Sequence, residues 1–503
     1  CIFRCNSLHF SLAKYNSTNT IGYVTDANGQ TTALTINGQP LADFIWNKNG
    51  LLESTTFGNG AAISNTYNGN LLETETIKTN SAATWRTNSY EYDKNQQITQ
   101  VTNNDDTVTY TYDALNQLVK EQYDNGLTIS YTYDTVGNRT SKTTEQNGKT
   151  TTISYSYNDD NQMTAAGEKT YNVSANGNVT NDGAFQYIWN AFDQLTEVKS
   201  QAGSTVATYR YDENGRRVYS KDSSGETYYR YNGLTNQVLF EENAGGEITK
   251  KYTYDDNGRP LTMTYQGASY YYLTNYRGDV LALSDESGQV VAEYAYDAWG
   301  NILSQSGSMA AINPYRYAGY RYDEDTKLYY LMARYYNPNT GVFLSLDPVR
   351  GDTMNPISMN GYNYANNNPV MNIDPDGEHP ILVFIQSVIT PILVWFAKKY
   401  GPKILSKTVK PLLKKRIQPL INKYLKNYEV KFFDGEVIFK IIKKGKGRLY
   451  SFDYGPIAYK KVGNVKSFHY HINYSKMHYV YRWNSAYYLG YKFKNDNYKW
   501  VWF

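Results

Sequence analysis

Tyr110-Thr111-Tyr112-Asp113, then Tyr131-Thr132-Tyr133-Asp134 with Thr135-Val136-Gly137-Asn138 behind it, is the stretch that decides the fold. Tyr at i and i+2 puts both rings on one face of a strand. The Asp, Asn and Gly that follow supply a turn, including positions with φ above zero. The unit is strand, turn, strand. It recurs at Tyr90-Glu91-Tyr92-Asp93, Tyr155-Ser156-Tyr157-Asn158, Tyr209-Arg210-Tyr211-Asp212, Tyr252-Thr253-Tyr254-Asp255 and Tyr294-Ala295-Tyr296-Asp297. The second tyrosines Tyr92, Tyr112 and Tyr133 are 20 and then 21 residues apart. One hairpin cannot bury its own face, so neighbours must stack. The expected fold class is mainly β, an array of such hairpins.

With 503 residues the chain is too long for one ordinary core. Its 53 tyrosines each bury a ring and keep a polar tip, which makes packing compatible with a hydrophobic content of 41%. Charge divides the chain in two. Residues 1–379 hold 26 Lys and Arg against 42 Asp and Glu, a net −16, while residues 380–503 hold 24 against 5, a net +19. A basic part of this kind suits a polyanionic partner, and an acidic part can hold it electrostatically. The two cysteines, Cys1 and Cys5, leave the rest of the chain without a disulfide framework. A tail without Cys also excludes Cys proteases and Cys-rich zinc deaminases. A chain that starts at Cys1 without a leader is expected to be a fragment of something longer.

These repeats resemble the YD-repeat (Rhs) family over roughly the first three quarters of the chain. The most specific stretch runs from Tyr271 to Gly377. It contains Pro314-Tyr315-Arg316-Tyr317-Ala318-Gly319-Tyr320, Ala333-Arg334-Tyr335-Tyr336-Asn337-Pro338, Gly341-Val342-Phe343-Leu344-Ser345-Leu346-Asp347-Pro348, Asn367-Asn368-Pro369-Val370 and Asp374-Pro375-Asp376-Gly377. This looks like the Rhs-associated core domain of polymorphic toxins, of the wall-associated Gram-positive type. The resemblance implies repeats coiled into a cocoon-like shell, a core domain plugging one end, and a variable C-terminal domain held inside. It also implies self-cleavage just after Asp-Pro-x-Gly by two aspartates, here Asp347 and Asp374. A carboxylate pair sharing one proton can activate a water and protonate the leaving amine. The chain departs from the pattern at the stretched Asp347-Pro348-Val349-Arg350-Gly351 and at Glu378, where an apolar residue often stands. The simpler reading is that Asp-Pro ends a strand, since proline removes a donor.

Beyond Gly377 the composition changes. Ile381 to Ala397 is nearly continuous apolar sequence, short for a membrane span and interrupted by Pro391. Lys398 to Lys426 interleaves Lys with aliphatic residues between Pro402, Pro411 and Pro419, the pattern of short cationic amphipathic helices. Such a segment either packs as an ordinary helical subdomain or makes transient membrane contact through 381–397. From Tyr428 the pattern is β: Glu429 to Phe433, an Asp434-Gly435 turn, Val437 to Ile442, then Leu449 to Tyr454.

Three of the five histidines fall between His469 and His478. His469 and His471 share a strand face, and a turn over Asn473 to Lys476 sets His471 across from His478. The cluster can then supply a general base and a general acid near neutral pH. On a basic surface that chemistry is metal-independent RNA cleavage through the 2′-hydroxyl. Lys476 and Arg448 would stabilise developing charge, and Lys466 and Arg482 would hold phosphates. No cofactor is required on this reading. Alternatively His469, His471 and His478 bind zinc or another divalent metal, or the face binds nucleic acid without cutting it.

The expected organisation is repeats over 1–270 and a core domain over 271–378. An apolar, then cationic helical segment over 379–427 and a basic β-rich domain over 428–503 follow as a small α+β tail. The expected function is an interbacterial toxin, secreted or cell-wall-associated in the producer, whose shell delivers a nuclease to the target-cell cytoplasm. Its expected partners are RNA, a cognate immunity protein, and the target-cell envelope or cell wall. The alternatives are a wall-associated protein that binds carbohydrate or wall polymer with a non-catalytic basic tail, and a membrane-active tail.

Overall fold

The computed structural model describes residues 9–14, 20–26, 30–80, 84–104, 106–233, 235–255, 257–348, 356–378 and 381–382. It also describes the strands Tyr428–Phe432, Val437–Lys443, Gly447–Tyr459, Gly463–Ile472, His478–Tyr481 and Tyr498–Val501. The strands at 9–14, at 381–382 and from 428 onward are described by backbone and register. Two compact units are formed, Cys1–Val349 with Asn360–Val383, and Arg350–Met359 with Phe384–Phe503.

In the first unit sixteen strands, from His9–Lys14 to Lys169–Thr170, form one sheet, and fourteen, from Asn172–Val173 to Ile302–Ser306, form a second. In both, each strand lies beside its neighbours in sequence. The motif explains why. Asp134 Oδ1 accepts the backbone N–H groups of Val136 (3.0 Å) and Asn138 (2.9 Å), closing the turn. Asp93, Asp113, Asp212, Asp255 and Asp297 do the same two and four residues on. The third residue after Asp is left-handed, as at Asn116 (φ 63°) and Gly137 (φ 82°).

The two tyrosines divide the remaining work. The first is a core residue, buried at Tyr90, Tyr131, Tyr209, Tyr252 and Tyr294. The second sits at a β-bulge. Its hydroxyl donates to a main-chain carbonyl of the previous hairpin: Tyr112 to Ile98 O (2.7 Å), Tyr133 to Leu118 O (2.7 Å), Tyr211 to Leu195 O (2.6 Å) and Tyr296 to Val280 O (2.9 Å). One ring packs and the other ties consecutive hairpins together. Two units missed by the tyrosine pattern work identically with an indole. In Phe44-Ile45-Trp46-Asn47 and Tyr187-Ile188-Trp189-Asn190, Trp46 Nε1 donates to Thr31 O and Trp189 Nε1 to Val179 O, both at 2.7 Å.

The strands Arg321–Asp323, Leu328–Leu331, Arg334–Asn337 and Val342–Phe343 form a separate four-stranded sheet. Its Tyr329, Tyr336 and Phe343 join Trp299, Tyr317 and Tyr364 in one cluster with Tyr90, Leu118 and Tyr131 of the repeats. The Asn367-Asn368 pair then docks on successive turn tips. Asn367 Nδ2 donates to Gln117 Oε1 (2.9 Å) and Gly137 O (2.6 Å), and Asn368 Nδ2 donates to Gln97 Oε1 (2.6 Å) and Asn116 O (2.9 Å). Ala365, Asn366 and Asn367 are all left-handed, with φ of 54° to 57°, a strained run held by these bonds.

In the second unit the six tail strands form one sheet in sequence order, antiparallel except for the last pair, His478–Tyr481 with Tyr498–Val501. Strand Gly447–Tyr459 is longer than the expected Leu449 to Tyr454. The apolar segment expected from Ile381 opens as a strand, Ile381–Leu382, and residues 383–427, with the expected helices, lie outside the described residues. Among the described residues no helix is long and apolar enough to cross a membrane.

Candidate self-cleavage site and histidine-bearing sheet

Strand Asn372–Ile373 runs directly into Asp374-Pro375 and pairs antiparallel with Ile381–Leu382, Asn372 opposite Leu382 and Ile373 opposite Ile381. The charge boundary is therefore a hairpin loop. Asp-Pro does end a strand, but the loop also sits on a built site. Ala333 N donates to Asp376 O (3.1 Å). A Cβ on Gly377 (φ 72°) would meet Leu331 O at 2.5 Å and Arg334 N at 3.1 Å, so glycine alone allows the approach.

Arg334 organises this site. Its Nε donates to Gly377 O, and its Nη1 donates to Gly361 O (3.0 Å). Its Nη2 meets both sequence-identified aspartates, Asp347 Oδ2 at 2.9 Å and Asp374 Oδ2 at 3.2 Å. The Phe343 ring lies 3.5 Å from Cζ. Asp374 is fully buried, and the Asp347 side chain is 14% exposed. A guanidinium so enclosed is retained only where its charge is matched. Asp374 N donates to Tyr320 Oη (2.9 Å), and burial followed by the Asp374 carboxylate pushes that phenol well above its ordinary range, keeping it protonated. A cationic N–H aimed at an amide oxygen polarises its carbonyl, here the acyl carbonyl of the Gly377–Glu378 bond. Sequence reasoning picked out both aspartates and missed Arg334. The usable signal was a lone charge in the apolar run Leu328 to Tyr336, which has to be paired if it is buried.

The tail sheet places the remaining residues by register. His469 pairs with Val480 and Tyr470 with Tyr479; one step further along the same register sets His471 opposite His478. On the other side Asp453 pairs with His469 and Ser451 with His471. Ser451 in turn lies opposite Lys440, and Lys440 opposite Lys431. Since opposed positions share a sheet face, one face carries Lys431, Lys440, Ser451, Asp453, His469 and His471. The alternate row, Phe432, Phe439, Phe452, Tyr470 and Tyr479, is aromatic throughout. Lys466 lies on strand Gly463–Ile472, opposite Pro456, in the row of Phe468 and Tyr470, so the register puts it on the aromatic face and not with His469 and His471; Arg448 lies on Gly447–Tyr459, opposite Ile442. Lys476 and Arg482, with the turn expected over 473–476, lie outside the described residues.

Residues 60–370 match the family described as Teneurin YD-shell. Over 274 residues, 54% of the chain, it is 45% identical to the tRNA3(Ser)-specific nuclease WapA of Bacillus spizizenii and 44% identical to the tRNA nuclease WapA of Bacillus subtilis. The match spans only 12% of each of those proteins. The crystal structure of TcdB2-TccC3 covers 71% of this chain and is covered to 21% by it, with a TM-score of 0.59 at 21% identity, a likeness of fold. The turn chemistry, the sequential sheets and a family match over most of the chain agree: this chain belongs to the Teneurin YD-shell family.

Proposed function

We propose that the chain is part of a YD-shell toxin whose repeat shell carries a basic C-terminal effector, and that the effector cleaves RNA. The observation that carries this reading is the tail register, which gathers His469, His471, Asp453, Ser451 and Lys440 on one face and sets the aromatic row from Phe432 to Tyr479 on the other. One histidine takes the proton from a 2′-hydroxyl, the 2′-oxygen attacks phosphorus, and a second histidine protonates the departing 5′-oxygen. The lysines of the face, with Lys476 and Arg448, meet the charge that builds on the phosphate, and Arg482 holds a neighbouring phosphate. Relatives named as tRNA nucleases support RNA, and the tRNA class, as substrate. A producer of such an enzyme needs a cognate immunity protein. Secretion or wall association, followed by action in a target-cell cytoplasm, completes the reading.

Release follows from the join. Water adds to the Gly377 carbonyl carbon as one of Asp347 and Asp374 takes its proton. Arg334 Nε holds the oxygen as it becomes anionic, and the protonated partner of the pair delivers a proton to the Glu378 nitrogen as the C–N bond breaks.

Two experiments separate these steps. The full chain incubated with total RNA in EDTA should yield 2′,3′-cyclic phosphate ends, and His471→Ala should abolish them. Loss of activity in EDTA transfers the reading to a metal site on the histidines, and intact RNA with leaking liposomes transfers it to a membrane-active tail. On a gel the chain should release a fragment of residues 378–503, and Asp347→Ala should prevent it. An uncut chain defeats the release step alone.

A further inference from the structure

Six arginines are buried among the described residues, and five of them have a carboxylate. Arg217 meets Asp323 (2.5 Å), Arg277 meets Asp279 (2.6 Å), Arg316 meets Glu324 (3.0 Å), Arg321 meets Glu241, and Arg334 meets its two aspartates. Arg139 is the exception. It is 3% exposed, and no carboxylate among the described residues pairs with it. Its Nη2 makes only a long contact to Asn339 O (3.5 Å), and its Nε and Nη1 have no partner. The rings of Trp299, Tyr131 and Tyr155 lie 4.6, 5.3 and 5.3 Å from its Cζ. Ring faces favour a cation, but they do not satisfy the N–H groups in the guanidinium plane.

Two further buried donors nearby are also unpaired, Trp299 Nε1 and Asn363 Nδ2. Arg139, Trp299 and Asn363 all line one cavity of about 20 Å³. The amide oxygens at hand each already accept a hydrogen bond. Asn138 Oδ1 accepts from Asn360 (2.6 Å), Asn161 Oδ1 from Asn138 (2.9 Å), and Asn363 Oδ1 from the Asn367 amide (3.0 Å). A water placed there needs acceptors for its own two protons, whereas an anion needs donors alone. Four unpaired N–H groups, two of them cationic, are a donor set for an anion. The cavity volume is close to that of one small occupant and too small for phosphate or a carboxylate ligand of any length. We infer that Arg139, Trp299 and Asn363 bind a single halide ion, chloride in ordinary media. Gly341 lies against this pair, since a Cβ there would lie 2.5 Å from Arg139 Nη2 and 2.8 Å from Trp299 Cε3. The ion joins a repeat strand, Arg139–Gln146, to the Trp299 turn and to the Asn363 loop, so halide occupancy couples the repeats to the core segment.

The test uses the full chain in gluconate and in chloride at equal ionic strength, and crystals grown in bromide. The thermal midpoint should rise with the logarithm of chloride concentration, and a bromine anomalous peak should appear beside Arg139. Arg139→Gln should lose the halide dependence. Trp299→Phe, which keeps a ring and removes one donor to a charged partner, should weaken halide binding about tenfold or more. It carries the test if Arg139→Gln does not fold. Equal midpoints in gluconate and chloride, a cavity without anomalous signal, a bromine peak with no halide dependence, or wild-type halide response in Trp299→Phe each overturns the inference.

Discussion

Replacing Glu75 by Gln should stabilise the repeats at alkaline pH and not at acid pH. Glu75 is 2% exposed, and its Oε2 accepts both Asn88 Nδ2 (2.9 Å) and Tyr90 Oη (3.1 Å). Burial pushes its carboxyl up from 4.5 to about 7. A raised carboxyl keeps its proton in the folded state while the unfolded chain releases it. Its effect on stability is therefore a loss that begins above pH 4.5, grows as pH rises, and levels off above about 7. At about 1.4 kcal/mol per pH unit, the difference between pH 5 and pH 8 is about 2 to 3 kcal/mol. Gln presents the same acceptor to Asn88 and Tyr90 and never ionises, but it brings an amide NH₂ whose burial costs about 1 to 2 kcal/mol. The variant should be slightly less stable than the wild type at pH 5 and more stable at pH 8. Hydrogen exchange in the strands Leu71–Lys78 and Thr84–Tyr92, compared between the two proteins at each pH, reads the difference directly. Parallel pH profiles, or a variant that falls further behind as pH rises, would refute the argument.

Tyr133→Phe removes the bond to Leu118 O (2.7 Å) and keeps the ring; about 1 kcal/mol of local protection should be lost in the adjoining hairpins, measured by the same exchange experiment. Gly137→Ala imposes a Cβ at φ 82°, 3.2 Å from Asn367 Nδ2. It should cost about 1 to 2 kcal/mol and make the 360–370 loop easier to cleave by added protease. Arg334→Met should slow release of the 378–503 fragment about 10²- to 10³-fold, as for loss of an oxyanion donor. Cleavage at the wild-type rate would leave the guanidinium only a structural part.

The fold was legible because its unit is written in residues whose chemistry is local. Asp134 closes its own turn, and Tyr133 binds a carbonyl of the preceding hairpin, so both roles follow from short-range spacing. Trp46 and Trp189 perform the tyrosine's task with an indole N–H, and no tyrosine count could register them. The aspartates of the join were legible as a pair, but the group on which they meet was not. Arg334 is brought to them by the four-stranded sheet, a tertiary event with no fixed sequence distance. Arg139 shows the limit most clearly. The repeat pattern marks its position as one turn among many, and only the packed structure reveals a charge without a partner.

The strictly sequential order of the sheets also bears on how the chain is made. Each strand finds its partner within about one repeat of itself, so a hairpin emerging during synthesis can add to an edge already formed. The backbone pairing of neither large sheet waits for a distant segment. The contacts that span the molecule come from its later residues: Arg217 must wait for Asp323, 106 positions on, and Gln117 for Asn367, 250 positions on. Growth at one edge followed by a late closing set would finish the repeats before the basic tail is translated.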